Sequence, residues 1–302
     1  MKIGIASGLM AAAMVAASAQ AASIADIVFV VDESGSMGGE HAWIAGMIAS
    51  LNAGLASKGV SAQYGLVGFG GGGAGNAGRQ INVGGGQFGT AAQFATAAGS
   101  LVTTGSTEDG YAGVNFGMGY TFRPGAAQNF ILITDEDRDI VNAAVTFASL
   151  SAALNARNAL LNVVVDADLN NGATTAAALG INGKTVGTPP INPNAINYKA
   201  DGAGGFLKTP GARVSGGFGT TEGDYINMAF GVGFMGPMGP VNGAAWDLNQ
   251  LRLGGNTAVS FTKAFVDLKV QEIIQQTIPL PTGVWMGLVG LAGVGIVRRV
   301  RR

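Results

Sequence analysis

The sequence contains no cysteine and a single histidine, and only 12% of its 302 residues are charged. The absence of cysteine excludes disulfide bonds, cysteine-ligated zinc and thiol catalysis. One histidine, His41, is too few for most histidine-based metal sites and acid–base schemes. With 17 Lys plus Arg against 18 Asp plus Glu, the chain lacks the basic excess that nucleic-acid binding requires. The chemistry left to it is that of carboxylates, hydroxyl groups and the backbone.

The N-terminus has the composition of an export signal. Residues 1–21 begin with Lys2 after the initial Met, continue as an apolar run and end in the small-residue triplet Ala19-Gln20-Ala21. A charged start, an apolar centre and a small-residue cleavage site are together typical of a secretory signal peptide. A buried N-terminal helix is the alternative interpretation. We therefore expect residues 1–21 to direct export of the rest of the chain.

The C-terminal segment, residues 278–302, is also built from three parts. A proline-containing stretch from Ile278 to Gly283 precedes the apolar run 284–297, and four arginines lie within 298–302. Counted from Ile278, about 20 residues are available, which is near the minimum for a membrane span. The arginines would stay on the cytoplasmic side. The tail resembles the PEP-CTERM sorting tails of Gram-negative bacteria, although Leu280 stands where that motif usually has glutamate.

This resemblance implies an exosortase-like processing enzyme as a partner and a tail that lies in the membrane only until it is processed. It also implies a secreted or cell-envelope location. A plain C-terminal membrane anchor is the alternative, and it too places the domain outside the cytoplasmic membrane. The segments 1–21 and 282–302 hold five bases and no acids, which leaves 12 bases and 18 acids, a net charge of −6. The exported part is therefore acidic.

The middle of the chain alternates between strand and helix patterns. Short β-branched or aromatic runs predict buried strands at 26–31, 64–69, 129–134 and 161–165. Apolar spacing predicts helices at 40–58, 91–102, 109–119 and 141–158. The glycine-rich run 70–89 predicts a mobile hairpin or loop. Alternating strands and helices are the signature of βαβ units, so we predict an α/β fold with a doubly wound, mostly parallel sheet.

The alternation breaks down between residues 166 and 245, where Gly, Pro, Asn and Thr dominate. We interpret this segment as an insertion of short strands and irregular loops. After it, the pattern predicts a short helix at 246–253, a last strand at 258–261 and a final helix at 262–276. The domain is thus expected to span residues 22–277, with the insertion inside it.

Three polar loops lie where a ligand site is expected, because open α/β sheets bind ligands at the carboxyl ends of their strands. The first loop provides Asp32, Ser34 and Ser36, the second provides Thr107, and the third provides Asp135. Two carboxylates and three hydroxyl groups form an all-oxygen set of the kind that Mg²⁺ prefers. A metal with few direct charges on it stays electrophilic and can take a carboxylate from another molecule.

These residues resemble the von Willebrand factor A (vWA) family. Its metal-ion-dependent adhesion site (MIDAS) reads Asp-x-Ser-x-Ser, then a distant Thr, then a distant Asp. The run Asp32-Glu33-Ser34-Gly35-Ser36 directly follows a predicted buried strand and matches the first part, and Thr107 and Asp135 match the others in order. The resemblance covers roughly residues 25–165 and the last helix, without the insertion. Three unrelated turns rich in Ser and Asp are the alternative interpretation.

The resemblance implies roles for the five residues. Ser34, Ser36 and Thr107 would bind Mg²⁺, or Ca²⁺ or Mn²⁺, directly, and Asp32 and Asp135 would often act through water. Additional acids depart from the family pattern, since Asp135 is followed by Glu136-Asp137-Arg138-Asp139 and the second loop contains Glu108 and Asp109. These acids predict either a second cation site, of a kind that suits Ca²⁺, or a helix cap at Asp139 and an ion pair at Arg138.

Two weaker signals have ordinary interpretations. His41 opens a predicted helix beside the first loop, and we expect it at the surface or in a capping role. The run 166–172 resembles the start of an EF-hand loop, but its glycine is one place late and position twelve is Ala177, so we interpret it as a turn.

Three functions are compatible with these patterns. The first is a non-enzymatic adhesion or interaction module whose metal binds a carboxylate of a partner protein or an acidic glycan. The second is a structural cell-envelope or matrix protein in which the metal only stabilises the fold. The third is a metal-dependent hydrolase using the acids around Asp135, but the chain has no histidine ligand and no clear general base for it. Of these three functions we expect the first.

Overall fold

The computed structural model describes residues 23–171, 176–183, 192–214, 221–236 and 239–277. The predicted signal segment, residues 1–21, and the predicted sorting tail, residues 278–302, lie outside the described residues. Within the described part of the chain, no helix is both long enough and apolar enough to cross a membrane.

Thirteen strands are present in the described residues. In chain order they are β1 (Ser23–Asp32), β2 (Val60–Phe69), β3 (Arg79–Ile81), β4 (Phe88–Gly89), β5 (Ala127–Thr134), β6 (Leu160–Val165), β7 (Leu169–Asn170), β8 (Gly180–Asn182), β9 (Asn192–Ala200), β10 (Phe206–Val214), β11 (Gly233–Gly236), β12 (Gly239–Asn242) and β13 (Ala244–Asp247).

Seven α-helices accompany them in the described residues. They are α1 (Gly38–Ala56), α2 (Ala91–Ala98), α3 (Gly110–Met118), α4 (Phe147–Ala156), α5 (Thr221–Gly231), α6 (Leu248–Arg252) and α7 (Gly255–Thr277). A short 3₁₀ helix, Gly73–Gly75, lies between β2 and β3.

The centre of the main sheet is parallel. Strands β2, β1, β5, β6 and β13 lie side by side in this order, and each neighbouring pair is parallel. Strand β1 is fully buried from residue 25 onward because it has a helix layer on each face, which explains its continuous run of β-branched and aromatic residues. The predicted α/β fold with a doubly wound, mostly parallel sheet is confirmed.

Two hydrophobic cores lie on the two faces of this sheet. Alternate residues of β1 divide between them, with Ile27 and Phe29 in one core and Val28 and Val30 in the other. The first core packs against α1, α2 and α7, and the second against α3, α4 and α5. The spacing that predicted α1 is confirmed, because its five apolar positions, Ile44, Met47, Ile48, Leu51 and Leu55, are all buried in the first core.

The segment 166–245 contains more regular structure than its composition predicts. Strands β8, β9 and β10 continue the main sheet beyond β13 with antiparallel pairing, and β7 pairs with the end of β10. Helix α5, which the sequence pattern did not predict, packs on β6 and buries Tyr225 and Phe230 in the second core. The glycine-rich run 70–89 forms the short strands β3 and β4, both antiparallel to β2.

The predicted elements differ from the observed ones in several places. The helix expected at 91–102 ends already at Ala98. No strand occurs at 258–261, because these residues belong to α7, where Phe261, Ala264 and Phe265 share the buried face. The helix expected at 246–253 is shorter, since Trp246 belongs to β13 and α6 begins at Leu248.

The helix expected at 141–158 begins only at Phe147. Thr146 caps it, forming a capping box with Ser149. The amides of Val141 and Asn142 donate instead to the carboxylate of Asp109, at 3.0 and 3.3 Å. The residues before Thr146 are therefore engaged by another loop and are not free to extend the helix.

Candidate metal centre

The candidate site lies at the carboxyl edge of the parallel sheet. Asp32 is the last residue of β1, and Asp135 directly follows β5, the parallel neighbour of β1. Ser34 and Ser36 lie in the turn between β1 and α1, and Thr107 lies shortly before α3. Because parallel strands end at the same edge, the fold brings loops that are distant in sequence to one place.

Hydrogen bonds connect Ser34, Ser36 and Asp135. The Ser34 and Ser36 hydroxyl oxygens are 3.1 Å apart, and the Ser36 hydroxyl donates to Asp135 Oδ1 at 2.9 Å. Ser34 is buried, whereas Ser36 is exposed. Two hydroxyl groups and one carboxylate oxygen thus form a continuous row, which extends from the buried Ser34 through the exposed Ser36 to Asp135.

Asp32 lies beneath this row and is held on both carboxylate oxygens. Its Oδ1 accepts from the Ser34 amide at 2.7 Å, and its Oδ2 accepts from the Thr134 hydroxyl at 2.6 Å. Burial raises the pKa of Asp32 to about 6, although the hydrogen bonds from Thr134 and Ser34 act to lower it. The two hydrogen bonds therefore fix the orientation of the Asp32 carboxylate, but they offset only part of the cost of burying its negative charge.

Thr107 is placed near Asp32 only by its main chain, which borders Gly70, and in the described residues no hydrogen bond joins its side chain to the other four. Gly70, in the loop after β2, has φ +76°, and a Cβ placed on it would lie 3.4 Å from Asp32 Oδ1 and 3.5 Å from the Thr107 carbonyl oxygen. Gly105 forms a parallel bridge with Ser34 and donates its amide to the Glu33 carbonyl oxygen at 3.0 Å. The second loop is thereby attached to the first, and the missing side chain at Gly70 leaves room between them.

Arg252, a residue that the sequence reasoning missed, contacts the same cluster. Its Nη2 donates to Asp135 Oδ2 and its Nε donates to Glu40 Oε1, both at 2.7 Å. Burial acts to lower the pKa of Arg252, but the bonds to Glu40 and Asp135 outweigh it, and the pKa is raised. Nothing in the sequence pattern pointed to this contact, because Arg252 is far from both acids along the chain.

Two of the additional acids, Asp109 and Asp139, have hydrogen-bond partners in the second and third loops. Asp109 caps α3 and forms a buried ion pair with Arg138, with Arg138 Nε at 2.6 Å from Asp109 Oδ1. Asp139 accepts from the Glu108 amide at 3.3 Å and does not cap α4. Burial, together with the nearby charges of Asp32, Glu136 and Asp139, raises the pKa of Glu108 to about 7. The expected ion pair of Arg138 is present, and the expected cap at Asp139 is not.

His41 is buried beneath the first loop, so the expected surface role was wrong. Its Nε2 lies 2.8 Å from the main-chain oxygen of Asp32. Glu33, the residue between Asp32 and Ser34, is also fully buried and is paired with Arg79 through both carboxylate oxygens. The His41 contact and the Glu33–Arg79 pair therefore both fix the backbone of the first loop from its buried side.

The donor chemistry of the cluster fits a hard divalent cation. The five predicted residues offer two carboxylates and three hydroxyl groups, all oxygen donors. Among the described residues, no three His, Cys, Asp or Glu side chains gather into a group that could hold a metal ion. A metal here would therefore depend on the serine and threonine hydroxyls in addition to Asp32 and Asp135.

Comparisons with known proteins give weak similarities. No protein-family model and no curated protein matches the chain. Three solved structures illustrate the likeness. Proximal thread matrix protein 1 from the mussel byssus is 14% identical over 48% of this chain and 36% of its own, with a TM-score of 0.35. The pilus adhesin SpaC from Lactobacillus rhamnosus GG is 14% identical over 84% of this chain and 31% of its own, with a TM-score of 0.44.

The third is the SpRpn10 VWA domain, 12% identical over 47% of this chain and 74% of its own, with a TM-score of 0.36. This chain spans about a third of the length of the byssus and pilus structures. Because the similarities are this low, we infer the function of the chain from the chemistry of its own site and not from these proteins.

Proposed function

We propose that the chain is an exported adhesion or protein-interaction module that binds a carboxylate of its partner through a divalent cation. Asp32, Ser34, Ser36, Thr107 and Asp135 would hold the cation, Mg²⁺ first and Ca²⁺ or Mn²⁺ as alternatives. When bound, the ion supplies an electrophilic centre that accepts an Asp or Glu side chain, or the acid of a glycan, as a further oxygen ligand. The activity proposed is binding and not catalysis.

One observation carries the proposal, namely the row formed by Ser34, Ser36 and Asp135. The Ser36 hydroxyl lies within hydrogen-bond distance of both the Ser34 hydroxyl and Asp135 Oδ1, so three oxygen donors follow one another in a row. Ser36 is exposed, so the row is open to a partner at this residue. Asp32, whose two oxygens accept from Ser34 and Thr134, supports the row from below.

The location of the module is part of the proposal. Export by residues 1–21 would place the domain outside the cytoplasmic membrane, and the tail 278–302 would be handled by an exosortase-like enzyme or remain as an anchor. The acidic net charge of the exported part, −6, supports a divalent cation as the bridge between this chain and an acidic partner.

Capture of partners from the envelope fraction tests the proposal. The full chain should retain a partner in Mg²⁺ and release it in EDTA, because the cation completes the contact. Asp32→Ala and Ser36→Ala should both abolish Mg²⁺-dependent capture. The second variant is the sharper test, since it removes one hydroxyl oxygen from an exposed position and should leave the fold intact.

Asp267→Asn is a matched control, because Asp267 is a half-buried acid that pairs with Lys208 at a different place on the molecule. This variant should behave as the wild type. Capture that is equally strong in EDTA and Mg²⁺, or unchanged by Ser36→Ala, would contradict the proposal. Retention of Mg²⁺ binding without any captured carboxylate ligand would favour the structural alternative, in which the metal only stabilises the fold.

A further inference from the structure

Asp135 has two carboxylate oxygens with different partners. Oδ1 accepts from the Ser36 hydroxyl at 2.9 Å, and Oδ2 accepts from Arg252 Nη2 at 2.7 Å. The Asp135 side chain is 6% exposed, so few other groups can reach it. The acid that is expected to serve a cation therefore already holds a cationic side chain of the same molecule.

Arg252 is itself held in place by more than Asp135. Its Nε donates to Glu40 Oε1 at 2.7 Å, and its Nη2 lies 3.4 Å from the Ser36 carbonyl oxygen. Glu40 lies in the first turn of α1, and its second oxygen, Oε2, is buried without a hydrogen-bond partner. The guanidinium thus joins the end of β5, the start of α1 and the serine loop, with one positive charge shared by two acids.

We propose that Arg252 is a positioning residue that competes with the divalent cation for Asp135 and so sets the metal affinity of the site. This inference rests on the proposed function. The guanidinium holds Asp135 beside Ser36 when the metal is absent. The guanidinium and a metal ion would both be positively charged and would repel each other beside the same carboxylate. Binding of the cation to Asp135 should therefore weaken the contact between Arg252 Nη2 and Asp135 Oδ2.

Metal titration of the full chain tests this competition directly, with Mn²⁺ alone as the probe. Arg252→Gln removes the charge and keeps a polar side chain, so the Kd for Mn²⁺ should fall by about tenfold at low ionic strength, and by less at high salt. Arg252→Lys keeps the charge and should stay close to the wild-type affinity. Lys208→Gln, which removes a charge from an exposed ion pair elsewhere, should leave the Kd unchanged.

An equal or weaker Mn²⁺ affinity in Arg252→Gln, in a chain whose wild type binds Mn²⁺, would overturn this inference and leave the proposed function standing. Failure of the wild type itself to bind Mn²⁺ would overturn both. These two failures are therefore distinguishable from the same titration.

A second measurement uses only the wild type and does not depend on the folding of a variant. In ¹⁵N-arginine spectra, saturation with Mg²⁺ should speed rotation of the Arg252 Cζ–Nη bonds, because Nη2 loses Asp135 while Nε keeps Glu40. A merely structural ion pair would show no such change. Unaltered Arg252 guanidinium signals at saturating Mg²⁺ would contradict the competition.

Discussion

At the scale of single residues, Glu33 shows how the candidate loop is held from below. Its carboxylate accepts from Arg79 and from the Val102 amide at 2.9 Å, and Arg79 also donates to the Ser100 carbonyl oxygen. A Cβ at Gly68 would collide with the Glu33 carboxylate, so the chain needs glycine there. One buried acid therefore joins the loops that provide Ser34 and Thr107.

Arg79→Met should destabilise the protein by about 2 kcal/mol, because it leaves the buried Glu33 carboxylate without its counter-charge while Arg79 itself is partly exposed. The double variant Glu33→Gln, Arg79→Met should recover much of this loss, since no buried charge remains. Urea unfolding of the two single variants and the double variant measures the coupling. Additive losses would show that the two side chains do not depend on each other.

Asp247 provides a pH-dependent prediction away from the candidate metal residues. It caps α6 through the Asn249 amide, and burial raises its pKa from 3.8 to about 7, so the folded state favours the uncharged acid. Its contribution to stability is present at low pH and is lost as the pH rises through about 7. Asp247→Asn keeps a capping oxygen, so the stability of the variant relative to the wild type should grow by up to about 4 kcal/mol between pH 4 and pH 8.

Thermal or urea unfolding of both proteins across that pH range measures the difference. Glu108 and Asp32 titrate in both proteins, so their contributions cancel in the comparison. A difference that stays constant from pH 4 to pH 8 would mean that the Asp247 carboxyl is not held uncharged by the fold.

The site residues that the sequence could predict are those with local signals. Asp32, Ser34 and Ser36 have fixed spacing after a buried strand, and Asp135 follows another such strand. Arg252 has no local signal, since only the pairing of β13 with β6 places α6, which ends at Arg252, near the candidate loop. The burial of His41 was missed for a similar reason, because a polar residue at a helix start is ordinarily exposed.

At the scale of elements, we expect replacement by alanine to have opposite effects on stability at two glycines that lie in helices. Gly46 in α1 is exposed, and a Cβ added there would have nothing within 4 Å. A Cβ at Gly113 in α3, by contrast, would lie 2.8 Å from Val30 Cγ1 and 3.0 Å from Phe69 Cδ1. Gly46→Ala should therefore stabilise the protein by about 1 kcal/mol through helix propensity.

Gly113→Ala should destabilise it by about 2 kcal/mol, because the close packing of α3 on β1 and β2 outweighs the same gain in propensity. The pair is internally controlled, since both changes add one methyl group to a helix. Midpoints of thermal unfolding for the two variants give the signs, and equal signs would contradict this account of α3.

The elements that the sequence predicted wrongly share one cause, which is a tertiary contact that local pattern does not contain. Val141 and Asn142 look helical, but their amides bond to Asp109, and α4 begins only after the cap at Thr146. The start of α7 contains Val259 and Phe261, which favour strands, yet packing of Phe261 on the first core makes it helical. Strong local signals, such as the apolar spacing of α1, were sufficient alone.

At the scale of the whole molecule, metal binding and stability are linked. A ligand that binds only the folded state raises the free energy of unfolding, by about 2.7 kcal/mol at 100 times its Kd. Calorimetry of the full chain should show a higher unfolding midpoint in Mg²⁺ than in EDTA, and Ser36→Ala should remove that increase while leaving the EDTA midpoint nearly unchanged. An increase that survives Ser36→Ala would place the stabilising cation outside the proposed residues.

The order of strands in the sheet also has a consequence for how the chain folds. Strands β2, β1, β5 and β6 are drawn from one continuous stretch, but β13 reaches β6 only after the whole segment 166–243 has intervened. Long-range parallel pairing is slow because chain closure must precede its contacts. Pulsed hydrogen exchange during refolding should protect the amides of β1 before those of β13. Since β13 leads directly into α6, we expect the contact between Arg252 and Asp135 to form only in the last kinetic phase of folding.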